Sequence, residues 1–448
     1  MSGPGTRREL GGGLVARWST EADADGIAEL CGYVFRPKAD EPPNRWVMAW
    51  VRDMMGGRHP HIGPGDYAVV EDTASRRIVS GVCLISYAIE FEGLRIPFGR
   101  PEAVLTHPDY RNRGLVRALF EMVHARSAAM GHLVQGITGI PYFYKLFGYE
   151  YAADLGGELS VFFAAIPRLS PGEAEPYRLR TAVPSELATA GALYDQDRGR
   201  YALSTPIGDE YWRWISSGQN PESGEGWVTR FIVDADGAPV GYLLTARDRH
   251  KDEIKVLGLG VRAGQSLSAV LPSVLRGLES ISREPVPRKA DLPAPARVLF
   301  ALWREHPVYS LLAVGMAAGR FRPYAWYLRV PDLAGFLMRI HGVLEARLSA
   351  SPLAGHTGEL RLSFYGSGLR LVFDHGLLVS AGDWKEDHSW GPRAQAGFPP
   401  SLFLRLVFGH QSLTELLDAY PEVRAADEAR PLLEALFPRR PTWLIPLD

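Results

Sequence analysis

The sequence predicts a mixed α/β (α+β) chain: two similar units in tandem, then a third unit unlike them. Three observations predict this. First, the chain has 448 residues, 46% hydrophobic and 22% charged. At about 150 residues per domain, that length suggests three cores, and the apolar content excludes disorder as the main state. Second, a strand, turn and helix pattern over 15–34 recurs over 177–193. Third, a hairpin signal follows each copy.

In chain order, residues 1–13 carry two arginines with no apolar stretch to follow, and read as a flexible leader rather than a signal peptide. The first unit spans 14–166. Val15-Ala16-Arg17-Trp18 reads as a strand. Thr20, with Asp23 three residues later, is a variant capping box, and Ile27, Leu30, Val34 and Phe35 follow at helical spacing. Residues 67–72 and 78–86 flank a polar turn as a hairpin. The Pro/Gly/Glu-rich stretch 167–176 reads as a linker. The second unit, 177–322, repeats the order. Tyr177-Arg178-Leu179-Arg180 is the strand, Ser185 the expected cap, and Leu187, Ala190 and Leu193 the helix face. Residues 231–234 and 239–245 turn about Ala235-Asp236-Gly237. The apolar run 308–319 is too short for a membrane span, which needs about twenty residues, and reads as a buried helix. Residues 320–323 read as a second linker. The third unit, 323–448, shows a strand over 325–331, an amphipathic helix over 333–348, and a hairpin of 359–364 and 369–373 about Tyr365-Gly366-Ser367-Gly368. Short helices are expected at 402–407 and 413–417.

Charge and cysteine content narrow the function classes. Lysine and arginine total 49 against 51 acidic residues, a net charge of −2. No bulk positive field exists, so neither nucleic acid nor an anionic membrane is the expected partner. Two cysteines, Cys31 and Cys83, make no disulfide framework and read as buried apolar residues, which fits a cytoplasmic location. His59, His61 and His107 match no common metal spacing and are expected as solvated loop residues; no metal is expected.

The chemistry concentrates in 102–151. Ala103 to Thr106 is a short strand segment, and His107-Pro108-Asp109-Tyr110 is a turn. Arg111-Asn112-Arg113-Gly114-Leu115-Val116-Arg117 then runs into a helix from Ala118. A strand, a basic glycine-bearing loop and a helix start form an anion site, because backbone N–H groups and the helix dipole both favour negative charge there. Gly114 lets backbone approach a phosphate, and the arginines add charge-assisted donors. A solvated basic turn is the plainer reading of that loop alone.

The Arg-x-x-Gly-x-Val loop after a strand resembles the acetyl-coenzyme A pyrophosphate loop of GCN5-related N-acetyltransferases, with Val116 where the family has glycine or alanine. Downstream, Tyr142-Phe143-Tyr144-Lys145-Leu146-Phe147-Gly148-Tyr149 is similar to the Tyr-x-x-Phe-Gly-Tyr/Phe segment of the same families. The three-part layout resembles the Eis (enhanced intracellular survival) acetyltransferases. That resemblance implies two acetyltransferase-like units, each a mixed, mostly antiparallel sheet flanked by helices, the second degenerate. It also implies a C-terminal sterol-carrier-protein-like unit whose tail returns to the first unit's site.

The resemblance further implies an N-acetyltransferase that uses acetyl-coenzyme A as co-substrate. Asn112, Arg113, Gly114, Leu115, Val116 and Arg117 would grip the pyrophosphate. Val104, Leu105 and Thr106 would pair with the pantetheine arm, and Gly139 and Ile140 would border it. Tyr144 aligns with the proton donor to the leaving thiolate, whereas Tyr142, Tyr149 and Tyr151 read as packing. The base would be the chain's own C-terminal carboxylate. Asp448 carries an α- and a side-chain carboxylate, and either could act. The tail Trp443-Leu444-Ile445-Pro446-Leu447 is apolar enough to dock. Phe35, Trp46, Trp50 and Asp66 lie where an acceptor enters, and aromatic and acidic groups suit an amine. The expected partner is a small polar molecule with a primary amine, aminoglycoside-like or lysine-like. A homo-oligomer, a hexamer by the same resemblance, is implied. Two rival readings are a non-enzymatic lipid- or ligand-binding protein using the third unit, and a protein lysine N-acetyltransferase. Retention of 104–117 and Tyr144 speaks against the first. In the second unit, Leu257-Gly258-Leu259-Gly260-Val261-Arg262-Ala263-Gly264 lacks the basic loop, and no coenzyme A site is expected there.

Overall fold

A computed structural model describes residues 7–288, 291–312, 316–321, 324–386 and 393–448. Its first sheet runs in the order Arg8–Gly11, Leu14–Trp18, Tyr67–Asp72, Arg77–Phe91, Leu94–Thr106, Val134–Ile137, Tyr324–Arg329, Glu150–Leu155. Neighbours along that path are antiparallel except Leu94–Thr106 with Val134–Ile137. Strand alternation explains how the sheet buries both faces. Tyr67 and Val69 pack with the helices Ala24–Val34 and Arg45–Met55. Ala68 and Val70 pack with Leu115, Leu119 and Val123 of the helix Leu115–Ala129.

The second sheet runs Ala317–Phe321, Glu158–Phe162, Arg297–Ala301, Glu253–Val261, Pro239–Ala246, Trp227–Val233, Arg178–Thr181. Strands therefore cross the boundaries between units expected from the sequence. Glu158–Phe162 falls by sequence in the first unit yet pairs in the second sheet. Tyr324–Arg329 falls in the third unit yet sits between two strands of the first sheet. A third sheet, Leu377–Asp383, Gly368–Asp374, Gly358–Ser363, Ala396–Gly397, Arg424–Ala425, packs with helices Leu333–Arg339, His341–Ser349, Phe403–Val407, Leu413–Ala419 and Arg430–Leu436. Its core is continuous with the first sheet: Phe91, Phe98, Val134 and Trp326 pack in one cluster with Phe336, Leu371 and Phe408.

Several local expectations change. Glu186, not Ser185, closes the second unit's turn, its carboxylate accepting the Val183 N–H at 3.0 Å. The run 308–319 is not one helix. Val308–Leu311 is a single turn and Ala317–Phe321 is a strand, which also takes Arg320 and Phe321 out of the expected linker; residues 313–315 and 322–323 lie outside the described residues. The helix expected over 333–348 breaks at Ile340 into Leu333–Arg339 and His341–Ser349. Thr20 and Asp23 behave as expected, Asp23 accepting the Thr20 N–H at 2.8 Å. Cys31 and Cys83 are buried free thiols. No helix among the described residues is long and apolar enough to cross a membrane.

Candidate active site

The parallel strands Leu94–Thr106 and Val134–Ile137 pair only at Phe98–Val134 and Gly99–Gln135. Beyond those pairs they diverge. A bulge follows within a few residues, where the register against the neighbouring strand shifts between Gly81 and Cys83 and Ala103 takes φ +51°. A bulge adds a residue to one strand and bends it away from its partner. Val104, Leu105 and Thr106 thus present one backbone edge to an open wedge. Gly139 and Ile140 border the other side. Their carbonyls are held by hydroxyls of the inserted strand, Tyr324 to Gly139 at 2.6 Å and Tyr327 to Ile140 at 3.0 Å.

The basic loop closes the wide end of the wedge. Asn112 (φ +60°) and Gly114 (φ +74°) adopt left-handed backbone, and Gly114 starts the helix Leu115–Ala129 with no side-chain cap. The first N–H groups of a helix have no intrahelical acceptor, so they remain available to an anion. A Cβ added at Gly114 would meet nothing within 4 Å, so the space above it is open. Among the described residues, Arg111, Arg113 and Arg117 have no carboxylate partner; Arg113 donates to the Asp109 carbonyl at 3.2 Å. Leu115 is buried in the core beneath the loop, and Val116 packs towards the cluster of Phe120, Tyr144 and Tyr327. Its larger side chain is thus accommodated inward rather than over the anion site. An extended thioester with a diphosphate suits this donor set: a backbone edge, then uncapped helix N–H groups, then cations.

Tyr144 lies on the short turn Phe143–Phe147 and is 4% exposed. A Cβ at Gly139 would stand 3.9 Å from its hydroxyl, so the glycine lets the loop approach the phenol. Among the described residues the hydroxyl has no hydrogen-bond partner. Burial pushes the Tyr144 phenol up, and the nearby Glu102 carboxylate adds to the rise. The group therefore stays protonated and able to donate. Of its neighbours, Tyr149 is buried and bonded to His124 at 3.0 Å. Tyr151 pairs with Tyr327 at 2.5 Å. Tyr142, expected in packing, is instead 67% exposed.

The tail docks against all three parts. Thr442–Trp443 pairs in parallel with Leu203–Ser204, itself an extension of the first sheet at Phe91. Trp443 stacks on Trp303 at 3.6 Å, Trp326 donates to the Leu444 carbonyl at 3.2 Å, and Leu447 is buried. Asp448 is fixed at both carboxylates. Its Oδ2 meets Arg100 at 3.2 Å, and its backbone oxygen accepts from the Tyr211 hydroxyl at 3.1 Å. Arg100, 2% exposed, also meets Glu102 at 2.5 Å. Burial alone would lower the guanidinium, but Asp448 and Glu102 outweigh it and hold the charge firmly. Glu102 is raised by burial against the opposing pull of Arg100, with Asp448 adding to the rise.

The acceptor-side expectations fare unevenly. Asp66 accepts the Gly63 N–H at 2.8 Å and meets Arg126 at 3.4 Å, so it ties its own loop. Phe35 ends the first helix and is 41% exposed. Trp46 lies beneath the guanidiniums of Arg45 and Arg288, and only through Arg288 does it reach the large cavity near Asp448. His59 and His61 are not solvated. His59 is 6% exposed, and His61 stacks on Tyr211 at 5.5 Å. Burial, with the other nearby charges, pushes them down to about 3 and about 4.

Sequence reasoning missed Arg100, Glu102, Tyr211, Tyr324 and Tyr327. Only Arg100-Pro101-Glu102 offered a local signal, two opposite charges in the middle of a mainly apolar strand. The cavity that Asp448 lines holds about 710 Å³. Its floor is the second sheet, with Lys255 and Leu257 from one strand and Leu299 and Ala301 from the next. Trp443 to Pro446 form a wall.

A wedge between diverging parallel strands, an uncapped glycine-led helix start and a buried phenol thus lie together on the first sheet. Residues 16–152 match the family model of the acetyltransferase (GNAT) domain. The chain thus carries an N-acetyltransferase domain over this stretch. Its whole fold is similar to a GCN5-related N-acetyltransferase from Anabaena variabilis ATCC 29413 (TM-score 0.66, 15% identity, 96% of this chain and 99% of that one). It is similar to a GCN5-related N-acetyltransferase from Kribbella flavida (0.63, 18%, 97% and 98%). It is also similar to Eis1 from Mycobacterium abscessus (0.58, 16%, 96% and 99%). No curated protein is significantly similar to the chain in sequence.

Proposed function

We propose that the protein transfers acetyl from acetyl-coenzyme A directly to a primary amine of a small polar acceptor. One observation carries this reading: Asp448 is fastened in the wall of a cavity of about 710 Å³, beside the Arg100–Glu102 pair of the bulged strand. Bound acetyl-coenzyme A supplies the thioester, whose C–S bond breaks as a C–N bond forms to the amine. Asn112 to Arg117 bind the diphosphate, and the edge of Val104, Leu105 and Thr106, with Gly139 and Ile140 opposite, aligns the arm. A carboxylate of Asp448 orients the ammonium and accepts the proton the nitrogen loses. Tyr144 donates a proton to the departing sulfur. An ordinary carboxylate near pKa 4 does not strip an alkylammonium outright, so the proton moves as attack proceeds. No covalent enzyme intermediate is required, and Cys31 and Cys83 are both buried.

The second unit's helix start differs in a way that supports its loss of function. Ser266 caps the helix Leu267–Ser280 by accepting the Ala269 N–H at 3.3 Å, so its own side chain takes a donor an anion would need. His306 bonds the Leu259 carbonyl at 2.9 Å, in the strand edge that would face a second arm. In this reading the boundaries at 166, 177 and 323 mark a catalytic unit, a degenerate unit and a sterol-carrier-like unit that delivers the tail. A cleft beside Phe364 and Phe403 of the third unit is only about 110 Å³, too small for a lipid, which favours transfer over lipid carriage. A cytoplasmic hexamer completes the proposal, and sedimentation would measure its size. The test is calorimetric titration of acetyl-coenzyme A into the untagged chain, followed by an amine screen for thiol release. Saturation at one site per chain with turnover supports the reading. Absence of binding overturns it.

A further inference from the structure

The cavity at Asp448 is lined by charges of both signs. Most acids on its wall already have arginine partners. Asp154 meets Arg304 at 2.9 Å, Glu253 meets Arg297 at 3.3 Å, and Glu225 meets Arg288 at 3.3 Å. Asp248 meets Arg247 at 3.7 Å. The cations are not matched in the same way. Among the described residues, Lys251 and Lys255 have no carboxylate partner. Arg249 donates from Nη1 alone, to the backbone carbonyls of Lys251 at 2.9 Å and Pro293 at 2.7 Å, and its Nη2 and Nε have no partner among the described residues. These three side chains share the cavity wall with His250, which desolvation and the cations Arg288, Lys255 and Lys251 push down to about 4. At the tail stands Asp448 with its two carboxylates, close enough to Glu225 to raise it once burial has done so.

We propose that the acceptor is an amine that also carries an anionic group. Its ammonium sits at the Asp448 carboxylates, and its anion sits at Lys251, Lys255 and Arg249. This deepens the acetyl-transfer reading and rests on it. A polycation of the aminoglycoside type would satisfy the tail but would bring further positive charge against lysines that have no carboxylate partner among the described residues, and like charges repel. An amine with a carboxylate or phosphate at its far end satisfies charges of both signs. A volume of about 710 Å³ suits such a molecule.

The probes are 6-aminohexanoate and 1,5-diaminopentane, of similar length and amine reactivity, with kanamycin as the polycation. Thiol release gives kcat/KM, and quenching of Trp227, Trp303 and Trp443, which line the cavity, gives binding without turnover. Expected is a preference of about tenfold or more for 6-aminohexanoate over diaminopentane, reversed in the Lys251→Glu, Lys255→Glu variant. Both lysines reach solvent or the cavity, so the fold should tolerate the change; acetyl-coenzyme A affinity checks it, and Lys255→Gln is the milder substitute. Turnover that favours diaminopentane or kanamycin would overturn the inference and leave acetyl transfer standing. Equal binding of the two short probes would overturn it as well. Failure to bind acetyl-coenzyme A at all would remove the transfer reading, and this inference with it.

Discussion

Asp448 is the most exposed part of the mechanism to attack by experiment. Its two carboxylates can be separated. Asp448→Asn removes the side-chain charge and keeps the shape. One glycine added after Asp448 moves the α-carboxylate on by about 3.5 Å, more than the 3.1 Å bond to Tyr211 can absorb. Loss of a general base costs about 10²–10⁴ in kcat, or about 3–5 kcal/mol of barrier. The stability cost should be smaller. Arg100 loses one partner at 3.2 Å but keeps Glu102, which places the loss at about 1–2 kcal/mol. The tail stays docked through Trp443, Leu444 and Leu447, each 5% exposed or less. Steady-state thiol release and acetyl-coenzyme A calorimetry are the assays. One of the two single changes should lower kcat by that factor with cofactor affinity intact, and so identify the acting carboxylate. A chain carrying both changes that retains full kcat would refute the assignment of the base to this residue.

Other outcomes follow from the same geometry. Tyr144→Phe should lower kcat by about 10²–10⁴ at unchanged melting temperature, since the lost hydroxyl has no partner among the described residues; unchanged kcat would take the phenol out of the reaction. Gly114→Trp should block acetyl-coenzyme A binding; no protein atom obstructs the side chain, but the left-handed backbone at φ +74° strains any non-glycine residue, so a stability loss of about 1–2 kcal/mol should accompany it, and native affinity in calorimetry would show the loop to be misassigned. His59 and His61 are neutral in the fold, with values of about 3 and about 4, but charge below about 6.5 once unfolded. The unfolded chain then binds more protons, so stability should fall by about 1.4 kcal/mol per pH unit for each as pH drops from about 6.5 towards 4. Denaturant midpoints at pH 7.5 and 5 should converge in the His59→Gln, His61→Gln variant, and a native-like gap there would contradict the buried-neutral state.

The sequence by itself determined what is local. The basic loop is one contiguous strand, loop and helix start, so spacing alone placed Asn112, Gly114 and Arg117 at a helix N-terminus, where the structure puts them. Tyr144 lay in a short motif beside that loop, and the apolar tail announced that it would dock. Local turns were harder where two residues competed for one role, as Ser185 did with Glu186. Only the tertiary structure decided the rest. Arg100 meets Asp448 across almost the whole chain, Tyr211 reaches it from the second unit, and Tyr324 and Tyr327 come from a strand that leaves the third unit to complete the first sheet. His59 and His61 are likewise buried by the second unit, against Tyr211 and Trp214. Such contacts join segments whose own sequences carry no trace of the partner. Burial and pairing are properties of the assembled surface, and a titratable group acquires its chemistry from neighbours that only folding supplies.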